Sequence, residues 1–270
     1  MPIPHLEQLI DPMRRAGAIA VEQQNSLTYD QRMIKDDGTV VTRADHLVEE
    51  YLAGTIRNLY PDTNIISEET VRDYCRSRDF TFTIDPVDGT DSFSRGMPGW
   101  CISVGLLDES LTPVGGLVIA PRLGLFYFAD VGLEATVNGR RIVPPPEEPI
   151  HAKTNIMVYS RIHRHLDISR YPGKCRNLGS AALHLCCPLN YPGISAALEN
   201  RKVHIWDIAG SHAVNIAAGL DFELLRGGPV VYDGLINGEE VGGFILAGSP
   251  PAVKALREMV RRLPDPDSGA

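Results

Sequence analysis

Two aspartates three residues apart flank a proline in the run Ile84-Asp85-Pro86-Val87-Asp88-Gly89-Thr90-Asp91-Ser92-Phe93. A glycine and a hydroxyl residue follow at once. That order suits a cation held on a turn at the end of a strand. The alternating run Phe80-Thr81-Phe82-Thr83-Ile84 supplies the strand and fixes the first carboxylate. The Asp-Pro pair turns the chain, and Gly89 lets backbone come close to a ligand. Further acids fall at the ends of expected elements: Asp45, Glu68 and Asp207. All of these are hard oxygen donors, with no clustered His or Cys to compete, which favours Mg²⁺, Mn²⁺ or Ca²⁺ over zinc. Carboxylates gathered in one pocket repel unless cations sit among them. Paired cations in turn suit in-line displacement at a phosphate ester.

The positioning elements follow from periodicity. Leu6, Leu9, Ile10, Met13, Gly17, Ala20 and Val21 recur at helical spacing. Pro12 within them implies a helix that starts there after an Asp11 cap, or a kink. Beyond a loop with Lys35, Asp36, Asp37 and Gly38 at its tip, Thr42 and Asp45 have the spacing of a capping box. The helix they open carries the stripe Leu47, Val48, Tyr51, Leu52, Thr55, Ile56 and Leu59, and Pro61 ends it. Asn64–Ser67 reads as a short strand leading into Glu68-Glu69, so two strands end in acids at one sheet edge. Strands are expected over 100–107, 114–120 and 123–129, with a tight turn at Asn138-Gly139. Pro144 to Pro149 is the linker candidate.

The second half is expected to open on a strand over 155–159. His163 and His165, set among arginines, read as surface residues. Helices start near Ala181 and Trp206, the latter with a small face of Ala209, Ala213 and Ala217. Strands are expected over 230–232 and 243–247, a closing helix over 252–263, and disorder in the tail from Pro264.

The totals narrow the class. At 270 residues the chain can bury a large core, and its apolar runs fall well short of the roughly 20 residues of a membrane span. A net charge of −8 argues against nucleic acid as partner, because that affinity comes from Lys and Arg on phosphates. Five cysteines in no zinc pattern read as reduced, mostly buried thiols of a cytoplasmic protein.

Asp85-Pro86-Val87-Asp88-Gly89-Thr90-Asp91-Ser92-Phe93 resembles the D-P-[LIV]-D-G-T-x-x-F signature of the inositol monophosphatase family. Four further blocks stand in the family's order: Thr42-Arg43-Ala44-Asp45, Ser67-Glu68-Glu69, Arg176 to Ala182, and Trp206-Asp207-Ile208-Ala209-Gly210. The resemblance implies a layered αβαβα sandwich, with an α+β half over 1–143 carrying most metal ligands and an α/β half over 150–270 carrying Asp207. It implies that Glu68, Asp85, the Val87 carbonyl, Asp88 and Asp207 bind two or three Mg²⁺ ions, with Mn²⁺ as substitute and Ca²⁺ or Li⁺ as inhibitors. Asp45 and Thr90 would activate the attacking water. Gly89, Thr90, Asp91 and Ser92 would cradle the phosphate, while Glu199, Asn200 and Asp207 would meet the alcohol. A homodimer acting on a small phosphorylated metabolite is the implied assembly. Inositol 1-monophosphate stands first as substrate. Fructose 1,6-bisphosphate, histidinol phosphate and a 3′,5′-bisphosphate nucleotide are alternatives, as is a regulatory member with incidental hydrolysis. Two positions depart from the pattern, as does the usual E-A-G-G run, which reads Ala217-Ala218-Gly219-Leu220 here. Asp91 stands where the family has a small, hydroxylated or basic residue, and Asn200 where inositol phosphatases place an acid.

Overall fold

Alternation of apolar side chains along the strands sends them to both faces of two sheets, so helices must cover both. The computed structural model describes residues 4–27, 33–34, 40–70, 72–130, 132–144 and 148–264. Helices α1 (Ile10–Ser26) and α2 (Arg43–Leu59) form the first layer. The first sheet follows, built from β1 (Asn64–Ser67), β2 (Arg72–Asp73) and β3 (Thr81–Asp88), then, after the single-turn helix α3 (Thr90–Ser94), β4 (Cys101–Leu107), β5 (Pro113–Ala120), β6 (Leu125–Ala129), β7 (Thr136–Val137) and β8 (Arg140–Arg141). Its strand order is β8-β7-β6-β5-β4-β3-β1-β2, with only β1 and β3 paired in parallel. The remainder is β9 (Asn155–Val158), β10 (Lys174–Arg176), α4 (Ala181–Cys186), β11 (Ile194–Glu199), α5 (Ile205–Ala217), β12 (Asp221–Leu224), β13 (Ile245–Gly248) and α6 (Pro250–Met259). These strands make a second sheet in the order β10-β9-β11-β13-β12.

Leu6, Met13, Val48, Leu52 and Ile56 pack on Phe82, Ile84, Val104 and Leu117 at the outer face of the first sheet. On its other face Cys101, Val118 and Tyr127 meet Leu183, Cys186 and Val214 from α4 and α5. Period-two alternation is clean in the second sheet. Met157, Ala197, Ile245 and Ala247 face α5, while Ile156, Leu198 and Leu246 face Ala252, Val253 and Leu256 of α6. The layers therefore run α–β–α–β–α, the expected sandwich. Both faces of each sheet are covered, which is why β4 is apolar or small at almost every position and buried throughout.

Helix α1 begins two residues before Pro12, which sits in the first turn, where an N–H has no intrahelical acceptor. No kink is needed. The Thr42–Asp45 capping box is formed. Asn138 and Gly139, both at positive φ, make the two-residue turn between β7 and β8. Residues 230–232 are not a strand. The edge position belongs to β12, and Tyr232 instead packs onto α5, its hydroxyl 2.9 Å from His212 Nδ1. The closing helix ends at Met259, because Val260 turns into the core and Arg261–Arg262 pair with Leu166–Asp167. Strands β2, β10, β11 and β12 were not expected from the sequence. Cys101, Cys186 and Cys187 are buried, Cys75 and Cys175 exposed, and none is in a disulfide. His163 is exposed, and His165 lies 3.2 Å from the Tyr159 hydroxyl. The 35–38 loop tip, 145–147 of the linker and the 265–270 tail lie outside the described residues. No helix among the described residues is long and apolar enough to cross a membrane.

Candidate active site

In an unbroken strand, residues three apart point to opposite faces. The pairing of β3 with β4 solves this for Asp85 and Asp88. Asp85 lies opposite Ser103 and Asp88 opposite Cys101, so β3 carries one extra residue across that interval. Such a bulge re-aims the following side chain, and it tolerates Pro86, which has no N–H to give to the ladder. Val87 consequently joins Phe82 and Ile84 on the α1/α2 side, while both aspartates turn toward the middle helices.

Asp207 arrives from α5. This helix lies directly on β4 and β5 because glycines remove the side chains between them. A Cβ at Gly116 would sit 2.1 Å from the Gly210 carbonyl oxygen, and one at Gly105 2.6 Å from the Ala209 Cβ. Of the expected small face, Ala209 and Ala213 are buried with Gly210, whereas Ala217 is exposed. Asp207 Oδ2 accepts the His204 N–H at 2.6 Å, fixing the first turn. Asp85, Asp88 and Asp207 then offer carboxylate oxygens all within 4.8 Å of one another. Burial pushes Asp85 and Asp207 well above the usual carboxylate range, and the charges of Glu68 and Asp88 push both further. Burial also raises Asp88, against hydrogen bonds that hold it down.

Those hydrogen bonds tie the two halves together. Ser180 Oγ (2.7 Å) and the Ala182 N–H (2.6 Å) donate to Asp88 Oδ2, and the Ala181 N–H donates to Oδ1 (3.2 Å). Asp88 thus accepts the free donors at the start of α4 as an acid would at any helix N-terminus.

Asp45 is fully buried in the first turn of α2. Its Oδ2 accepts the Thr42 N–H (2.8 Å) and hydroxyl (2.6 Å), while Oδ1 lies 3.5 Å from Thr90 Oγ1. Thr90 donates its hydroxyl to the Val87 carbonyl at 2.9 Å. Burial lifts the Asp45 carboxyl to about 6, against the Thr42 hydrogen bonds. Glu68 continues the β1–β3 pairing, its N–H donating to the Ile84 carbonyl at 3.1 Å. It stands outside the three-carboxylate cluster, although its charge acts on Asp85 and Asp207. The loop carrying it is held by Glu49, whose carboxylate accepts the N–H groups of Glu69 (3.0 Å) and Thr70 (2.9 Å) and the hydroxyls of Ser67 and Thr70. Burial alone would raise Glu49, but these donors outweigh it and hold the carboxyl below the usual range.

Gly89 has φ +93° and precedes α3, where the backbone bends around the cluster. Both Asp91 oxygens accept Arg95 Nε, at 3.0 and 2.9 Å, on an exposed edge. Ser92 Oγ donates to the Leu178 carbonyl at 3.3 Å. Beside the carboxylates opens a cavity of about 250 Å³, lined by Asp88 and Asp207 and by Tyr159, Asn177, Glu199 and Asn200. Glu199 is buried in its lining, and Asn200 Oδ1 is buried without a hydrogen bond from the described residues.

Sequence reasoning missed Glu49, Ser180 and His184. Glu49 stands four residues after Asp45, hence on the same buried helix face, and that spacing was the available signal. Ser180 before Ala181-Ala182-Leu183 has the form of an N-cap. His184 had no local signal.

A buried, all-oxygen cluster of carboxylates between two sheets defines a protein that binds hard divalent cations, and its donor set fits Mg²⁺, Mn²⁺ or Ca²⁺. The chain belongs to the inositol monophosphatase family, whose sequence model matches residues 6–247. It is 28% identical over 223 residues to a fructose-1,6-bisphosphatase/inositol-1-monophosphatase of Aquifex aeolicus, covering 78% of this chain and 82% of that one. It is 25% identical over 244 residues to the 3′(2′),5′-bisphosphate nucleotidase CysQ of Buchnera aphidicola, covering 84% and 87%. Its fold superposes on an IMPase of Thermotoga maritima with a TM-score of 0.79 at 22% identity, over 94% and 95% of the two chains. The chain is accordingly a metal-dependent phosphatase acting on small phosphorylated substrates.

Proposed function

We propose that the protein hydrolyses an inositol-1-phosphate-type monoester with Mg²⁺. The observation that carries the site assignment is the juxtaposition of the Asp85, Asp88 and Asp207 carboxylates within 4.8 Å, from opposite halves of the chain. Glu68, these three and the Val87 carbonyl would hold two or three cations. Bound there, the cations would polarise the phosphoryl group and acidify the attacking water. Asp45 takes the proton of that water on Oδ1, with the Thr90 hydroxyl as relay. A carboxyl lifted to about 6 is well matched to this task near neutral pH. For the relay, the Thr90 hydroxyl swings from the Val87 carbonyl toward Asp45, both being within reach. Backbone N–H groups of Gly89 and Thr90 hold the phosphate, with Asp91 and Ser92 at the edge of the cradle. The cavity with Glu199 and Asn200 receives the alcohol. In this reading residues 1–143 and 150–270 form one catalytic unit, because the second half adds Asp207 to the cation ligands of the first.

The test is a phosphate-release screen with Mg²⁺ over inositol 1-phosphate, fructose 1,6-bisphosphate, histidinol phosphate and adenosine 3′,5′-bisphosphate. Highest kcat/KM on inositol 1-phosphate supports the reading. A preference for either bisphosphate moves the substrate to the kind named for the Aquifex and Buchnera relatives. Negligible turnover of all four, together with a stoichiometric macromolecular partner, turns it to a regulatory role. By family resemblance the enzyme is further proposed to be a cytoplasmic homodimer, and a monomer mass in sedimentation would remove that assembly.

A further inference from the structure

His184 and Glu199 are both buried, with side chains 2% and 3% exposed, and the reaction described above gives neither a chemical step. His184 lies in α4 and Glu199 ends β11. His184 Nδ1 meets Glu199 Oε1. On the other side of the ring, Nε2 accepts two backbone N–H groups, from Leu178 at 2.7 Å and Gly179 at 3.2 Å. A ring nitrogen that accepts an N–H carries no proton, so the ring proton is on Nδ1 and points at the carboxylate. The second Glu199 oxygen accepts the Asn200 N–H at 3.3 Å. The pair therefore ties the end of a strand to the 177–180 loop through one fixed tautomer.

That loop touches the centre of the site. An added Cβ at Gly89 would lie 3.0 Å from the Gly179 carbonyl oxygen, and one at Gly99 would lie 2.0 Å from that of Leu178. Ser92 holds the same Leu178 carbonyl, and Ser180, the next residue along, holds Asp88. Asn177 and Gly179 form one wall of the cavity, and His184, Glu199 and Asn200 line it alongside them.

We propose that His184 and Glu199 are a positioning pair that sets the alcohol-side wall of the active site and thereby its substrate selectivity. The proposal rests on the phosphatase reading for the identity of that cavity. Removing the imidazole leaves the Leu178 and Gly179 N–H groups without their acceptor, and removing the carboxylate frees the ring to turn. Either change loosens the alcohol-side wall more than the phosphate half, which keeps Asp85 on β3 and Asp207 on α5.

The test compares wild type with His184→Leu, Glu199→Leu and Glu199→Gln. It measures KM and kcat on the best monoester of the screen, and the inhibition constant of inorganic phosphate, which occupies only the phosphate half. Re-ordering the loosened wall on substrate binding raises KM by about tenfold to a hundredfold in the two leucine variants. The rise in KM exceeds any rise in the phosphate inhibition constant by about tenfold or more, although the loop also carries Ser180 and through it Asp88. Glu199→Gln, whose amide oxygen still accepts the Nδ1 proton, has a lower KM than Glu199→Leu. Parallel rises in KM and in the phosphate constant, or an unchanged KM, overturn the positioning role. If the leucine variants do not fold, ¹⁵N NMR of the wild-type His184 ring decides. A protonated Nδ1 with a bare Nε2 supports the pair, and a protonated Nε2 overturns it. Wild type that releases no phosphate from any monoester with Mg²⁺ or Mn²⁺ defeats the phosphatase reading itself, and the proposal with it.

Discussion

Replacing Asp45 by Asn should slow turnover by orders of magnitude and make the cation-free protein more stable. The carboxylate is fully buried, and its folded-state pKa is raised from 3.8 to about 6, with desolvation as the leading cause. Holding it ionised at pH 7 therefore costs the fold about 3 kcal/mol relative to the unfolded chain. The sign follows from proton binding. The folded state grips the proton more tightly, so the stabilisation from that proton is complete below pH 4 and lost as pH rises through about 6. Asn carries no charge to desolvate, and its amide oxygen can still accept the Thr42 N–H and hydroxyl that cap α2. Urea denaturation in chelator at pH 7 should show Asp45→Asn about 1–3 kcal/mol more stable than wild type, and the gap should close toward pH 4. Phosphate release with Mg²⁺ should meanwhile fall about 10²–10⁴-fold, the usual contribution of a general base. A variant that is less stable at pH 7, or a stability gap that ignores pH, would refute the desolvation argument. Retained turnover would refute the base assignment.

Three further outcomes follow from the packing and from the cluster. Gly116→Ala should destabilise the protein by at least about 1–3 kcal/mol in urea denaturation, since its methyl would lie 2.1 Å from the Gly210 carbonyl oxygen and push α5 off the sheet. Ser180→Ala should lose about 1 kcal/mol through the α4 cap and weaken cation binding by calorimetry, because its hydroxyl also fixes Asp88. Mg²⁺ at about a hundred times its dissociation constant should add about 2.7 kcal/mol to stability in thermal melts at pH 7.5. Chelator should reverse that gain, and absence of any shift would count against the cluster as a cation site.

The elements and the acids were legible because both are local, whereas the layered sandwich followed from the family resemblance. Helical stripes, alternating strands and the Thr42–Asp45 cap each declare themselves within a few residues. What the sequence did not carry was long-range. The bulge that swings Asp88 to the side of Asp85 depends on the register against Ser103 and Cys101. The bond from Asp88 to the start of α4 joins residues more than ninety positions apart. Asp91, an anomaly in sequence, is chelated by Arg95 four residues on, a pairing its helical spacing does allow. Tyr232 shows the opposite failure. Its β-forming neighbours suggested a strand, and packing against His212 prevailed.

The central claim is that Asp85, with Asp88 and Asp207, holds the divalent cations on which phosphate ester hydrolysis depends. Its most direct test is a Mg²⁺ titration of phosphate release at saturating monoester, for wild type and Asp85→Asn. The expected result is a wild-type rate that is negligible in chelator and saturates with Mg²⁺, and a variant slower by a factor of about 10³ or more at every concentration, as for loss of a transition-state charge stabiliser. Turnover that persists without Mg²⁺, or that Asp85→Asn leaves undiminished, would contradict it.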